Sequence, residues 1–294
     1  MSIQPLHPVG LKSQAVNFQL MPPLSLYIHI PWCVRKCPYC DFNSHEARGS
    51  LPEKEYVAAL VRDLESALPL VWGRRVQSVF FGGGTPSLAS GEGIAEILRQ
   101  VRMLLPLEHN AEITLEANPG TVEAGKFAAF RAAGVNRLSL GIQSFNDQHL
   151  RALGRIHSAD EAKRAIAIAQ QHFDNLNLDL MYALPQQTLG QALQDVQTAL
   201  AYSPRHLSCY HLTLEPNTLF AHQPPPLPDD DAGSAMQQGI EALLAGQGYA
   251  HYETSAFAQP KVIAELPVVQ IVARLLFRPG EGGSLVMRIA MPGQ

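Results

Sequence analysis

Residues 24–42 have the sequence LSLYIHIPWCVRKCPYCDF. The first seven alternate apolar with polar side chains and stop at Pro31, a pattern that predicts a strand. Three cysteines follow on the next loop, Cys33, Cys37 and Cys40, with the spacing C-x3-C-x2-C and no fourth cysteine nearby. An iron–sulfur cluster normally takes four cysteine ligands. Three thiolates would therefore leave one iron open, and an open position is typical of a metal site that binds a ligand or does chemistry.

The same cysteines leave a second interpretation open, a structural zinc site with His29 or His45 as the fourth ligand. Zinc ligands usually come as two short pairs separated by a longer loop, whereas this segment is one tight triplet, which favours the cluster. The remaining cysteine, Cys209, is predicted to be core without a function. Trp32 and Phe42 flank the loop and are predicted to pack around a cluster and shield it.

Composition limits the classes of protein that fit. The chain has 294 residues, 46% of them hydrophobic, which is enough for one large domain or for one domain and a smaller one. A net charge of −4 gives no basic excess that would predict a nucleic-acid partner. No apolar run approaches the roughly 20 residues of a membrane span, and residues 1–21 lack a signal-peptide pattern. Clustered free thiols survive in a reducing compartment, so we expect a cytoplasmic protein.

Strand and helix patterns alternate along most of the chain. Strands are predicted at residues 24–30, 76–81, 111–117, 136–140, 176–181 and 206–214, and helices at 53–68, 94–105, 122–133, 147–153, 159–171 and 189–202. This alternation predicts a parallel sheet with right-handed crossovers, either an open doubly wound sheet or a partial barrel. The unusual residues follow strand ends, which converge on one face of a barrel. We therefore predict an α/β fold, a partial (β/α)6 barrel.

The predicted organisation has four parts: an N-terminal lead (1–23), the barrel (24–220), a linker with the start of a C-terminal region (221–260) and an atypical tail (261–294). Prolines at 224–226 oppose helix and central strand, so a surface loop is expected there. A helix over 231–246 and one strand over 249–257 follow.

Two further groups of residues are candidates for a ligand site. Gly82-Gly83-Gly84-Thr85 follows the second strand, and glycines there predict close approach of a ligand to the backbone, although a tight turn gives the same pattern. Polar residues also follow other strands: Glu116, Gln143, Arg155 and Asp179. Their carboxylates suit hydroxyl or ammonium groups, and the guanidinium suits a carboxylate.

These motifs together resemble the radical S-adenosylmethionine superfamily and, more narrowly, the oxygen-independent coproporphyrinogen III oxidase-like family, over residues 24–260. The resemblance rests on YIHIPWC (27–33), the cysteine spacing, GGGTPS (82–87), LGIQSF (140–145) and LDLMYALP (178–185). It implies a partial barrel with a [4Fe-4S] cluster on Cys33, Cys37 and Cys40, whose open iron binds S-adenosylmethionine for reductive cleavage. The positions that match cofactor-contacting residues of the family are Tyr27, Tyr39, Gly83, Gly84, Thr85, Glu116, Gln143, Arg155 and Asp179.

The family has an enzymatic branch and a binding branch. Its oxidases carry another cysteine two positions after the third, where this chain has Phe42, and a longer N-terminal segment. Both departures resemble the heme chaperone branch, which implies heme or a porphyrin as a further ligand, an electron donor and a heme acceptor protein. That branch continues with a His-Asn…Tyr-Trp segment, but residues 261–294 contain no His, Tyr or Trp. We therefore expect a truncated or frameshifted C-terminus that lacks the heme-binding histidine.

Overall fold

The computed structural model describes residues 24–121 and 124–260, so the predicted lead and tail lie outside the described residues. The strands are β1 Leu24–Ile30, β2 Trp32–Cys33, β3 His45–Glu46, β4 Val76–Gly83, β5 Leu107–Ala117, β6 Arg137–Gln143, β7 Leu176–Tyr182, β8 His206–His211, β9 Ala250–Glu253 and β10 Ala256–Ala258. The helices are α1 Glu53–Val71, α2 Gly91–Leu104, α3 Ala124–Ala133, α4 Asp147–Ala152, α5 Ala159–Ala169, α6 Leu189–Leu200, α7 Leu219–His222 and α8 Asp230–Gly246. None of the described helices is long and apolar enough to cross a membrane.

The order of the strands distinguishes the two predicted architectures. The main sheet has the order β1-β4-β5-β6-β7-β8-β10-β9, and its first six strands are parallel. A doubly wound sheet reverses its strand order at a switch point. These six strands follow one another in chain order, so right-handed crossovers place the helices on one face. The partial (β/α)6 barrel is confirmed.

The two faces of this sheet have different chemistry, because successive side chains of a strand point to opposite faces. Apolar side chains such as Phe81, Leu140 and Leu178 are fully buried in one core with side chains of the helices. The alternate positions carry mostly polar residues and form what we call the lumen face: Tyr27 and His29 of β1, Glu112, Thr114 and Glu116 of β5, Arg137 and Ser139 of β6, Asn177 and Asp179 of β7, and His206 and Ser208 of β8.

The structure differs from the sequence prediction in several elements: β8 ends at His211, before the predicted residue 214, and helix α7 was not predicted. The single strand predicted over 249–257 is wrong, since β9 and β10 form an antiparallel hairpin across Thr254 and Ser255, and β10 pairs with β8. Phe257 is buried by this pairing. The short strands β2 and β3 were not predicted; they pair in parallel and close the base of the cysteine-bearing loop. The domain boundaries stay predictions.

The loop after β1 reaches the far end of the sheet. Phe220 of α7, which follows β8, donates its backbone N–H to the Pro38 carbonyl at 3.0 Å, and its ring lies 6.3 Å from that of Tyr39. Phe220 also belongs to a small apolar cluster with Leu153, Leu184 and Leu212. The loop therefore spans the mouth of the partial barrel, between elements that follow its first and last parallel strands.

Candidate functional site

The three predicted cysteine ligands lie on one loop, residues 33–44, which we call the cysteine loop. Its base is fixed by backbone hydrogen bonds from His45 N to Pro31 O (2.7 Å) and from Ala47 N to Cys33 O (2.8 Å). All three thiols are free; Cys33 is buried, whereas Cys37 and Cys40 are partly exposed. The loop thus holds three thiols at the mouth of the barrel.

The surroundings of these thiols combine burial with groups that stabilise negative charge. Burial raises the pKa of Cys33, and hydrogen bonds to Ser44 and Thr85 partly offset this rise. Burial likewise raises the pKa of Cys40, opposed by its backbone hydrogen bond at Phe42. The Arg155 guanidinium donates to Cys37 Sγ across 3.6 Å. Since the thiolate is the metal-ligating form, a bound metal would compensate the cost of burying these groups.

The geometry bears on the zinc interpretation. Over residues 24–121 and 124–260, no three His, Cys, Asp or Glu side chains converge on one point suited to a single metal ion. His29, a proposed fourth ligand, has Nε2 2.8 Å from the Asn43 carbonyl and Nδ1 3.1 Å from the Tyr27 hydroxyl, and His45 is exposed on β3. A cluster takes each thiolate on a separate iron, so it does not require the three thiols to converge on one metal ion.

The glycine run packs against the cysteine loop itself. Gly84 N donates to Ile30 O and Thr85 N to Trp32 O, both at 2.7 Å. A Cβ on Gly83, whose φ is +113°, would lie 2.5 Å from a ring carbon of His29, and one on Gly84 would lie 2.5 Å from Trp32 O. The glycines therefore let β4 approach β1 and the loop closely. The expected contact with a ligand stays a prediction.

Two carboxyl groups lie on the lumen face beyond the glycines. Gly83 N donates to Glu116 Oε2 at 3.3 Å. Burial, with the negative charge of Asp179, raises the pKa of Glu116 to about 8. Burial raises the pKa of Asp179 to about 6, against hydrogen bonds from Ser139 and Asn177 and the nearby charge of Arg137. Both groups would ionise more readily beside a cation or hydroxyl donors.

Gln143 and Arg155 meet above Gly141. Gln143 ends β6 with a φ of 66°, next to an irregularity in its pairing with β7. A Cβ on Gly141 would lie 3.1 Å from Gln143 Nε2 and 3.4 Å from Arg155 Nη2, and that guanidinium donates to Gly141 O at 2.9 Å. Arg155 Nε is buried and has no hydrogen-bond partner within the described parts of the chain. An orphaned buried donor is suited to an acceptor that a ligand brings.

The structure thus brings most predicted site residues to one mouth. Tyr39 lies between Arg155 and α7, and Tyr27 stacks on Phe80 beside His29. Trp32 packs edge-on against Tyr56 at 4.6 Å, and its role in shielding a cluster stays a prediction. The predicted packing of Phe42 is wrong, because this side chain is 54% exposed. The sequence reasoning missed Ser44, Ser139, Asn177 and Ser208. A usable signal existed for the last three, because they are polar residues inside otherwise apolar buried strands.

Comparisons with known proteins agree with this fold. The family model of the radical SAM superfamily matches residues 27–199. The chain is 54% identical over 242 residues to heme chaperone HemW of Escherichia coli (strain K12), covering 82% of this chain and 64% of that protein. It is 44% identical over 240 residues to the mitochondrial radical S-adenosyl methionine domain-containing protein 1 of Mus musculus, covering 80% and 54%. The structure of coproporphyrinogen III oxidase (HemN) from Escherichia coli, a radical SAM enzyme, matches with a TM-score of 0.73 and 30% identity, covering 81% and 56%.

A partial parallel barrel with a three-cysteine loop at its mouth defines the class of radical SAM proteins. The chain belongs to the radical SAM superfamily and, within it, to the coproporphyrinogen III oxidase-like family, in the branch of the HemW proteins. It spans 64% of the length of the HemW relatives from Escherichia coli and Haemophilus influenzae.

Proposed function

We propose that Cys33, Cys37 and Cys40 hold a [4Fe-4S] cluster and that S-adenosylmethionine binds beside it at the open iron. The observation that carries this proposal is the single loop of three spaced thiols, tied to Arg155 through Cys37. When bound, the two cofactors supply one-electron reductive chemistry. The barrel itself contributes orientation and exclusion of water.

The chemistry of the lumen face fits a zwitterionic nucleoside. Arg155, with its unpartnered Nε, would take the carboxylate of S-adenosylmethionine. Glu116 and Asp179 would take its ammonium and hydroxyl groups, and Gln143 would add an amide. Tyr27, Tyr39, Gly83, Gly84 and Thr85 would frame the same site. The fit rests on donor and acceptor types that match the ligand.

For the whole protein we propose a heme chaperone-like role in the cytoplasm: binding of heme or a porphyrin, transfer to an acceptor protein, and reduction of the cluster by an electron donor. The support is the 54% identity to proteins named heme chaperone HemW. Phe42, in place of the further cysteine expected of the oxidases, supports the same branch.

The cluster is tested by anaerobic reconstitution of the wild-type protein, Cys33→Ala and Cys209→Ala. We expect about four irons and four sulfides per chain for the wild type and for Cys209→Ala, because Cys209 is buried in the core of strand and helix side chains. Cys33→Ala should lose the cluster. Retention of four irons by Cys33→Ala would contradict the ligand assignment.

The likeness to coproporphyrinogen III oxidase favours a second candidate function, oxidative decarboxylation of coproporphyrinogen III. Anaerobic incubation of the reconstituted protein with coproporphyrinogen III, reductant and S-adenosylmethionine separates the two. Formation of protoporphyrinogen would favour the oxidase. Saturable heme binding, followed by the Soret absorbance, without that product would favour the chaperone-like role.

A further inference from the structure

Asp179 is anchored from beneath by a polar network on three neighbouring strands. Its Oδ2 accepts from Ser139 Oγ at 2.9 Å, and its Oδ1 accepts from Asn177 Nδ2 at 2.7 Å. Asn177 Nδ2 also lies 2.8 Å from Ser139 Oγ, and its Oδ1 accepts from Ser208 Oγ at 3.2 Å. Each carboxylate oxygen is therefore held by a separate donor.

The residues of this network are buried to different extents. Asn177 is 3% exposed, Ser139 5% and Ser208 7%, whereas Asp179 is only partly buried. The three anchoring residues are thus more deeply buried than Asp179 itself. An ionised carboxylate offers about four lone-pair positions, so acceptor capacity remains on both oxygens.

Asn177 lies on the polar lumen face, and only 3% of its surface is exposed. A buried amide costs free energy unless it is hydrogen-bonded. The hydrogen bonds of Asn177 offset this cost, whereas an apolar side chain would leave Asp179 Oδ1 without this donor and Ser208 Oγ without this acceptor. What the amide adds is control over the orientation of Asp179.

We propose that Asn177 is a positioning residue, which with Ser139 and Ser208 orients the Asp179 carboxylate so that its two oxygens accept the vicinal hydroxyl groups of a ribose. This inference rests on the proposed function, in which the lumen binds S-adenosylmethionine. Two hydroxyls of a cis-diol match two oxygens of one fixed carboxylate. A freely rotating carboxylate would lose side-chain entropy on binding, and the network has already removed that freedom.

The test compares two ligands on the anaerobically reconstituted protein: S-adenosylmethionine, and methionine, which has the same amino and carboxylate groups but no ribose. Asn177→Leu is expected to weaken S-adenosylmethionine binding about tenfold, the loss of a hydrogen bond to a charged group. The affinity of the same variant for methionine should change by less than about twofold. Asn136→Leu is the matched control, since Asn136 precedes β6 at the end of the sheet away from the mouth, and its amide bonds to the backbone of Ile113 and Ala111.

A pH profile adds a readout that loss of packing would not move. With a donor removed, the affinity of Asn177→Leu for S-adenosylmethionine should fall off at a higher pH than that of the wild type, because Asp179 would be harder to ionise. The other titratable or charged groups that act on Asp179 or share its side of the barrel are Glu116 of β5, Arg137 of β6, and Cys209 and Tyr210 of β8. Asn136→Leu makes no hydrogen-bond change at any of these groups and should keep the wild-type profile.

Equal weakening of both ligands, or no weakening of either, would overturn the inference. If Asn177→Leu fails to fold, Ser208→Ala removes a hydroxyl of the same network, which bonds to Asn177 and also acts on Asp179. We expect about threefold weaker S-adenosylmethionine binding; unchanged binding would again overturn the inference. A wild-type protein that takes up no cluster would instead overturn the proposed function, on which the inference depends.

Discussion

Gln143 has a backbone conformation that glycine adopts more easily. Its φ of 66° places it in the left-handed region, and it is the residue whose amide lies over Gly141 beside Arg155. Backbone strain in a non-glycine residue is often found at ligand sites, where surrounding contacts hold it. The strain fits the placement of Gln143 at the end of β6, turned toward the mouth.

We predict that Gln143→Gly unfolds at a higher denaturant concentration than Gln143→Ala. Both variants lose the amide, but glycine accepts the positive φ at less cost, a difference of about 1 kcal/mol. Equilibrium urea unfolding measures it. At Ser78, in an ordinary strand conformation of β4, the order of the glycine and alanine variants should be reversed; the same order at both positions would contradict the strain.

Glu116 predicts a pH dependence of stability. The folded protein keeps a proton on Glu116 up to a pH of about 8, whereas the usual pKa is 4.5. The unfolded chain therefore loses that proton first, and the free energy of unfolding falls as pH rises through this interval. We therefore expect the difference in the free energy of unfolding between wild type and Glu116→Gln to change by at least about 1 kcal/mol between pH 5 and 8.

Unfolding of the cluster-free protein, followed by circular dichroism at several pH values, checks this dependence. Glu65→Gln, which removes an exposed carboxylate from α1, serves as the control. Its free energy of unfolding should differ from that of the wild type by the same amount at every pH. If the free energy of unfolding of Glu116→Gln also differs from that of the wild type by the same amount at every pH, Glu116 ionises normally in the folded protein.

At the scale of residues, the sequence predicted the strand-end positions well, because a residue directly after a strand lies at the mouth of any parallel barrel. Arg155 and Cys37 meet there as part of one site. The network under Asp179 could not be predicted, because it depends on the register of β6, β7 and β8. Register between strands some 30 to 40 residues apart is fixed by packing across the sheet, which no local pattern reports.

At the scale of elements, the glycine run of β4 sets how closely two strands and a loop approach. Gly84→Ala would place a methyl group against the backbone carbonyl of Trp32 at 2.5 Å, and backbone cannot move aside cheaply. We predict a loss of at least about 1 kcal/mol in the free energy of unfolding. Gly190→Ala, near the start of α6 with open space around it, should be neutral or stabilising. Similar urea midpoints for the two variants would contradict the close approach.

Helix α7 supports the cysteine loop from the far end of the sheet. We predict that Phe220→Ala, in the reconstituted protein, loses iron to a chelator several times faster than wild type, because Tyr39 of the cysteine loop loses the ring it packs against. Absorbance of the ferrous–chelator complex under anaerobic conditions gives the rate. Leu219→Ala, on the same helix but 56% exposed, should match wild type; equal acceleration by both would mean that the helix as a whole, and not this ring, is responsible.

Element positions followed closely from periodicity where a strand or helix was long and patterned, as for β1, whose predicted and observed bounds coincide. Short elements were harder. β2 and β3 have two residues each and exist because the loop folds back on itself. The β9–β10 hairpin was predicted as one strand, because the two-residue turn at Thr254 and Ser255 carries no glycine or proline to mark it.

At the scale of the whole molecule, the sheet separates an apolar side from a polar one. The alternation first noted in β1 recurs in β6, β7 and β8, where apolar residues face the helices and polar residues face the lumen. A doubly wound sheet would have hydrophobic residues on both faces. An alternation of apolar and polar residues that recurs from strand to strand therefore indicates a barrel with a polar interior.

Two buried histidines predict the acid limit of the fold. Burial lowers the pKa of His157 to about 4 and of His206 to about 3, so both stay neutral in the folded protein. The unfolded chain binds protons below pH 6.5, so stability present above that pH is lost as pH falls toward 4. We predict that His157→Gln, followed by thermal unfolding between pH 7 and 4.5, loses less stability on acidification than wild type, whereas a variant of the exposed His109 behaves as wild type.

The contact between the cysteine loop and α7 has a consequence for biogenesis. Pro38 and Phe220 are about 180 residues apart in the chain, yet they are hydrogen-bonded neighbours. Contacts of such long sequence separation form late in folding, and during synthesis they must wait until the distal partner has left the ribosome. The cysteine loop therefore gains its support from α7 only after residue 220 has been synthesised, when all six parallel strands already exist.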